Sequence, residues 1–137
     1  MKKNRKELIE VFTYKLNHLN EQISYSIPNL EDEKDELKRT RAALFFIRCD
    51  SEKVYKLFYE KEFIETILIE LNDIKGIKSE SEVDNEANEI ISYKLDRLEG
   101  MVFSNPIKHS TNEMINISSI WELEVNLKLI QFIKRFV

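Results

Sequence analysis

The chain has 137 residues, 42% of them hydrophobic and 34% charged, which suits one domain with enough apolar side chains for a core. The net charge of −4 is mild and disfavours a dedicated DNA or RNA binder, which usually carries a basic face. Two Gly and two Pro residues are too few for the many tight turns of a sheet or sandwich, so the composition predicts long helices.

Two helices are predicted in the first part of the chain. The first covers residues 5–25 and ends before Pro28, because the residue preceding a proline avoids the α-helical region. The second covers residues 30–48, with acidic residues in its first turn and basic residues later, an order that complements the helix macrodipole. The apolar stripe of the first helix, spaced by three or four positions, consists of Ile9, Phe12, Leu16, Leu19 and Ile23.

A third helix is predicted over residues 51–75. Asp50 or Ser51 can cap its N-terminus, although the same stretch is also compatible with a bend in one longer helix. Gly76 is well placed as the left-handed residue that ends it. Its apolar stripe consists of Val54, Leu57, Ile64, Leu68 and Leu71.

Each of the last two predicted helices is preceded by a capping-box motif, which is a serine followed three residues later by a glutamate. Ser79 opens the helix predicted over residues 81–103. Ser119 precedes residues 121–129, where apolar and polar side chains alternate strictly, as in a strand. Because the chain contains no second alternating run with which a strand could pair, we predict a helix there as well.

Five helices of about twenty residues, joined by short links, predict an all-α fold. We expect a single domain over residues 1–137, arranged as a mainly antiparallel bundle. Leu16, Leu68 and Leu98 lie in the middle of apolar stripes on three different predicted helices, so we expect them in one shared core.

The residues that usually carry chemistry are sparse. Cys49 is the single cysteine and lies in an apolar stretch, which is typical of a core residue. His109 and Glu113 are four residues apart, but one such pair falls short of a metal site. Gly76 and Gly100 are isolated, whereas a phosphate-binding loop needs clustered glycines. We therefore expect no catalytic, cofactor or metal site, and a protein that is not an enzyme.

The basic N-terminal residues resemble the start of a signal peptide, but Glu7 and Glu10 interrupt the apolar run that a signal peptide needs. No stretch approaches the roughly 20 apolar residues that span a bilayer. We expect a cytoplasmic protein without a membrane span.

The C-terminal predicted helix has more apolar surface than an outer helix of a bundle can bury against its own chain. A second stripe on this helix consists of Ile120, Leu123, Leu127 and Ile130. The first stripe, which we take as the candidate interaction face, consists of Trp121, Val125, Leu129, Phe132 and Phe136.

These observations favour a non-enzymatic helical interaction module, such as a small adaptor, inhibitor or immunity-type protein, which acts by binding another protein. A second copy of the chain is also compatible with the surplus apolar face, which would give a homodimer. The alternative function is a helical sensor domain that binds a small apolar ligand in its core.

Overall fold

The computed structural model describes residues 2–26, 36–76, 78–105 and 117–137, and side chains in these ranges except for residues 36–51. All regular elements in the described residues are helical, so the all-α prediction is confirmed. The elements are α1 (Arg5–Ser26), α2 (Glu36–Asn72), α3 (Glu80–Phe103), α4 (Ile117–Ile133) and a terminal 3₁₀ turn (Lys134–Phe136).

Several sequence expectations fall on other parts of the chain. Pro28, His109 and Glu113 lie outside the described residues, as does the side chain of Cys49. None of the described helices is both long enough and apolar enough to cross a membrane.

Helix α1 starts at a reciprocal cap that the sequence analysis missed. The Glu7 amide donates a 2.8 Å hydrogen bond to Asn4 Oδ1, and the Asn4 amide donates a 3.4 Å bond to Glu7 Oε1. The motif is an asparagine followed three residues later by a glutamate. Their side chains accept hydrogen bonds from two of the backbone amides at the start of the helix, which have no partner within the helix. The helix ends at Ser26, one residue beyond the predicted end.

Of the two possibilities left open around residue 51, a new helix or one longer helix, the structure has the longer helix, because α2 is one helix of 37 residues. The serine at position 51 continues the helix instead of capping a new one. A cap residue needs non-helical backbone angles, and neither Gly nor Pro stands nearby to break the helix. The described part of the chain therefore has four α-helices where five were predicted.

Helix α3 begins as its capping box predicts. Ser79 adopts an extended conformation, and its hydroxyl accepts a 3.2 Å hydrogen bond from the Glu82 amide. Gly76 has a positive φ of 103°, the left-handed conformation expected after a helix, although α2 itself ends earlier, at Asn72. Helix α4 confirms the helical alternative for residues 121–129, but it begins before Ser119, so that serine is not its cap.

The predicted antiparallel arrangement also needs correction. The start of α1 lies at the end of α2, where Arg5 Nε donates a 2.8 Å hydrogen bond to the Leu71 carbonyl. The end of α3 lies beside the start of α4, where Asn105 Nδ2 donates a 3.1 Å bond to the Ser119 carbonyl. The chain reverses direction between α2 and α3 and again between α3 and α4, so α2 and α4 point the same way. These two parallel helices pack directly against each other, whereas in an antiparallel bundle they would lie diagonally opposite.

The core receives apolar side chains from all four helices. Leu98 is fully buried and Leu68 is buried, as predicted, whereas Leu16 is only partly buried at the edge of the core. On the inner face of α1, Leu8 is fully buried, whereas Ile9 of the predicted stripe packs only partly against the core. The other large side chains that are fully buried are Phe12, Leu19, Ile64, Ile67, Leu71, Ile91, Leu129 and Ile133.

Candidate functional site

The predicted interaction face of α4 points mainly into this chain's own core. Val125, Leu129 and Phe136 are buried, while Trp121 and Phe132 are half-buried. The stripe therefore holds α4 on the bundle, and Trp121 and Phe132 are the members that also reach solvent.

Phe132 and Phe136 belong to a cluster of three rings with Phe12 of α1. The ring centroids of Phe12 lie 5.7 Å from Phe132 and 5.9 Å from Phe136, and those of Phe132 and Phe136 are 5.4 Å apart. All three pairs meet edge to face, the arrangement that ring quadrupoles favour. The cluster joins the first and last helices of the chain.

The second apolar stripe of α4 is buried unevenly. Ile130 is buried and Leu123 packs partly against the core. Ile120 and Leu127 are exposed, and Ile117 extends the same outward row. Apolar side chains thus remain on the outside of α4.

The alternating polar residues of α4 pair with α2. The Tyr55 hydroxyl donates a 2.7 Å hydrogen bond to Glu122 Oε1, and the Tyr59 hydroxyl donates a 3.0 Å bond to Asn126 Oδ1. Two ion pairs continue the same register, and they are Lys56 with Glu124 and Glu60 with Lys128. This explains the strand-like alternation, because these polar side chains face a neighbouring helix as well as solvent.

Three groups in this α2–α4 contact have shifted pKa values. The hydrogen bond to the Glu122 carboxylate, assisted by burial, raises the pKa of the Tyr55 hydroxyl. Burial raises the pKa of the Tyr59 hydroxyl, although the bond to Asn126 opposes the shift. Hydrogen bonds to Glu124 and Glu52 raise the pKa of the Lys56 ammonium group.

An open groove lies between the antiparallel helices α1 and α4, beside the ring cluster. Its volume is ≈ 590 Å³, within the range of ligand clefts, which is roughly 300–1,000 Å³. Val11 and the face of Phe132 supply its apolar floor, and Tyr14, which is 78% exposed, stands at its edge. The remaining lining residues are Glu10, Lys15, His18, Lys128, Gln131 and Arg135.

Two lysines of the groove converge on one buried carboxylate. Glu60 of α2 has a side chain that is only 4% exposed, and Lys15 Nζ lies 3.1 Å from its Oε1. Lys15 contacts Oε1 as an ion pair without a hydrogen bond. Lys128 Nζ lies 3.7 Å from Oε2 and its side chain is 64% exposed. One buried carboxylate therefore lies near two ammonium groups, and Glu10 adds a second carboxylate to the lining of the groove.

The cations also contact the aromatic floor. Lys15 Nζ lies 5.2 Å from the centroid of the Phe132 ring, and the Arg135 guanidinium carbon lies 6.0 Å from it. Both distances allow a cation–π attraction. The side chain of Phe132 therefore connects the core cluster to the cationic side chains of Lys15 and Arg135.

The chemistry available to this groove is binding, through apolar contact and charged side chains. Within the described ranges, no three His, Cys, Asp or Glu side chains come together as metal ligands would. Sequence reasoning identified Phe132 but missed Tyr14, Lys15 and Lys128. Tyr14, His18 and Tyr25 are spaced as one row on the outer face of α1. This row is the sequence feature that could have indicated a surface site on that helix.

Comparison with protein-family models finds no match for this chain, and comparisons with curated proteins and with solved structures find none either.

Proposed function

We propose that this chain is a non-enzymatic interaction module of the cytoplasm that acts by binding another protein, and that the groove between α1 and α4 is its binding site. A single observation carries the proposal. An apolar floor, several cationic side chains and an exposed tyrosine occur together in one open groove.

This combination suits a protein partner. Aromatic residues and arginine are enriched in protein interfaces, and the groove contains residues of both kinds in Tyr14, Phe132 and Arg135. Tyr14 has a large apolar ring and only two side-chain torsions to restrain, so its burial by a partner is favourable. Ile120 and Leu127 are exposed on the outside of α4, one of the two helices that form the groove, and they offer a partner further apolar contact area.

A sensor for a small apolar ligand is the alternative function. An enclosed apolar cavity would favour it, because such ligands bury most of their surface. The ≈ 590 Å³ groove is instead open, and its edge carries the exposed side chains of Tyr14 and Lys128. This observation favours the interaction module.

Site-specific photo-crosslinking in cells tests the proposal. A photoreactive residue at Gln131, an exposed position in the groove, should give one adduct of discrete mass. The control is the same residue at Asp96, an exposed position that lines a different cavity on α3. The purified captured protein should then bind the chain in solution.

The bound complex should depend on the groove. Tyr14→Glu should weaken binding of the captured protein by at least about tenfold, since it places a charge where an anchor is buried. Tyr93→Glu, at an exposed tyrosine of α3, is the matched control and should leave binding unchanged. The absence of an adduct at Gln131, equal adducts at both positions, or equal effects of the two tyrosine variants would overturn the proposal.

A further inference from the structure

We propose that the polar contacts between α2 and α4 form a register ladder, which allows α4 only one position along α2. The pairs of this ladder are Tyr55–Glu122, Lys56–Glu124, Tyr59–Asn126 and Glu60–Lys128. The apolar side chains of α4 leave its position open, and the charges of the ladder decide it. This role of the ladder is independent of what binds in the groove between α1 and α4.

The apolar side chains of α4 do not fix its position along α2 by themselves. Val125, Leu129 and Ile133 are all buried, and they follow one another at intervals of four residues. A slip of α4 by one helical turn, about 6 Å, would bring each of these side chains to the place of the next. The same slip would bring Phe132 to the place of Phe136. Because cores tolerate exchanges between apolar side chains of similar volume, other contacts must select the observed position.

The buried members of the ladder are the first of these contacts. The Tyr59 hydroxyl donates a 3.0 Å hydrogen bond to Asn126, which is only 3% exposed. A slip toward the N-terminus of α4 would put Ile130 in the place of Asn126 and leave the hydroxyl without this acceptor. A buried polar group without a partner is unfavourable, so this pair disfavours the slip. A single polar pair in an apolar contact can specify the register of two helices in this way.

The charges of the ladder oppose a slip in either direction. If α4 moved by one turn toward its C-terminus, Glu124 would take the place of Lys128 opposite the buried carboxylate of Glu60. If it moved by one turn toward its N-terminus, Lys128 would take the place of Glu124 opposite Lys56. Both slips bring like charges together, which is unfavourable. The order of acidic and basic residues along the two helices therefore selects the observed register.

Exchanging the two charges of one pair tests this role. In Lys56→Glu/Glu124→Lys the ion pair between α2 and α4 is kept with its sign reversed. After a slip, however, the new lysine at position 124 would face Glu60, or the new glutamate at position 56 would face Lys128. Both slipped positions thereby become attractive, although the observed position keeps its ion pair.

The position of α4 is measured as a distance between two spin labels. They are attached to cysteines introduced at Ile69 of α2 and Ile120 of α4, exposed positions that lie beyond opposite ends of the ladder. Double electron–electron resonance on the full chain, with Cys49 replaced by serine, gives the distribution of this distance. All chains compared also carry Glu52→Gln, because Glu52 is a second partner of Lys56 and lies on the same helix.

The control is Lys61→Glu/Glu65→Lys, which reverses an ion pair between two residues of α2. The parent and the control should each give one narrow distance. The exchanged variant should give, in addition, a distance displaced by about 5–6 Å in at least about 10% of the molecules. Lys56→Met/Glu124→Met removes the repulsion without adding attraction, so it should give the displaced distance in a smaller fraction.

A single distance in the exchanged variant, equal to that of the parent, would overturn the inference, because the slips would then be excluded without the ladder. An equal displaced population in the control would refute it as well. Circular dichroism reports whether the exchanged variant retains its helices. If that variant is unfolded, the Met variant decides by the same criterion, and a single distance there refutes the role of the ladder. Neither result bears on the crosslinking at Gln131, which tests the groove alone.

Discussion

The ring of Phe12 on α1 meets the ring of Phe132 on α4 edge to face, with centroids 5.7 Å apart and planes at 86°. The two residues are far apart in the sequence, so their contact closes the bundle between its first and last helices. Phe12 is fully buried, whereas Phe132 is half-buried and forms the floor of the groove. The pair therefore connects the core of the bundle to the lining of the groove.

Phe12→Ala should lower the free energy of unfolding by about 3–5 kcal/mol, the usual effect of removing a buried aromatic ring. The substitution removes two ring contacts and leaves a cavity under α4. Urea denaturation followed by circular dichroism measures it. The control is Tyr14→Ala on the exposed side of the same helix, which should change stability by less than about 0.5 kcal/mol. A loss below about 1 kcal/mol for Phe12→Ala would contradict the buried ring cluster.

Leu98→Ala should destabilise the protein more than Leu16→Ala. Both residues were expected in the core from the sequence, but Leu98 is fully buried and Leu16 only partly. Replacing a buried leucine by alanine lowers the free energy of unfolding by about 2–5 kcal/mol. The loss is smaller at a partly buried site, because neighbouring side chains can move into the space that the leucine leaves. The same denaturation experiment gives the order, and a larger loss at Leu16 would contradict the described packing.

The helices themselves could be predicted well from the sequence, because spacing and capping are local properties. The start of α3 follows from Ser79 and its glutamate, and the bounds of α1 follow from its apolar stripe. The sequence left the continuity of α2 open as one of two possibilities, because a serine that can cap a helix is also tolerated within one. The direction of α4 beside α2 depends on pairs such as Tyr59 with Asn126, which are separated by 67 positions.

The groove was less predictable than the helices. A stripe on one helix shows that a side chain such as Phe132 is apolar, but the neighbouring helix decides whether it faces a core or a groove. The convergence of Lys15 and Lys128 on Glu60 involves three different helices. No spacing within a single segment carries that information, so these residues were missed.

Lys15→Met should cost about 2–3 kcal/mol of unfolding free energy, because it removes the closer cation from the buried Glu60 carboxylate. Lys128→Met should cost less than about 1 kcal/mol, since Lys128 is largely exposed and lies farther from the carboxylate. The double variant Lys15→Met/Glu60→Met should recover most of the loss, because neither charge is then left buried alone. Equal costs for the two single lysine variants would contradict the burial of Glu60.

Stability should fall as the pH rises from about 9 to about 11. The pKa of Tyr59 is raised in the folded chain by burial, so the unfolded chain releases this proton at lower pH. The stabilisation is fully present below the ordinary tyrosine pKa of about 10 and is lost as the pH passes through the raised value. The raised pKa values of Tyr55 and Lys56 act in the same direction.

Tyr59→Phe should therefore flatten the fall of melting temperature with pH, even though it lowers stability at neutral pH by leaving Asn126 Oδ1 without its hydroxyl donor. Tyr25→Phe, at an exposed tyrosine, is the control and should retain the slope of the parent. Thermal melts across this pH range give the comparison, and identical slopes for Tyr59→Phe and the parent would contradict the assigned cause.

The two apolar stripes of α4 should respond differently to a charge. Phe136→Glu should unfold the chain, because Phe136 is buried and packs against Phe12 and Phe132. Leu127→Glu should leave it folded, because Leu127 is exposed on the outer row. Circular dichroism reports folding, and sedimentation equilibrium reports the mass of the parent and both variants.

If a homodimer forms through the outer row, the parent is dimeric and Leu127→Glu is monomeric and folded. If Phe136→Glu is instead folded with its mass reduced from dimer to monomer, the ring cluster belongs to an interface between copies, and the intramolecular role of Phe136 is wrong.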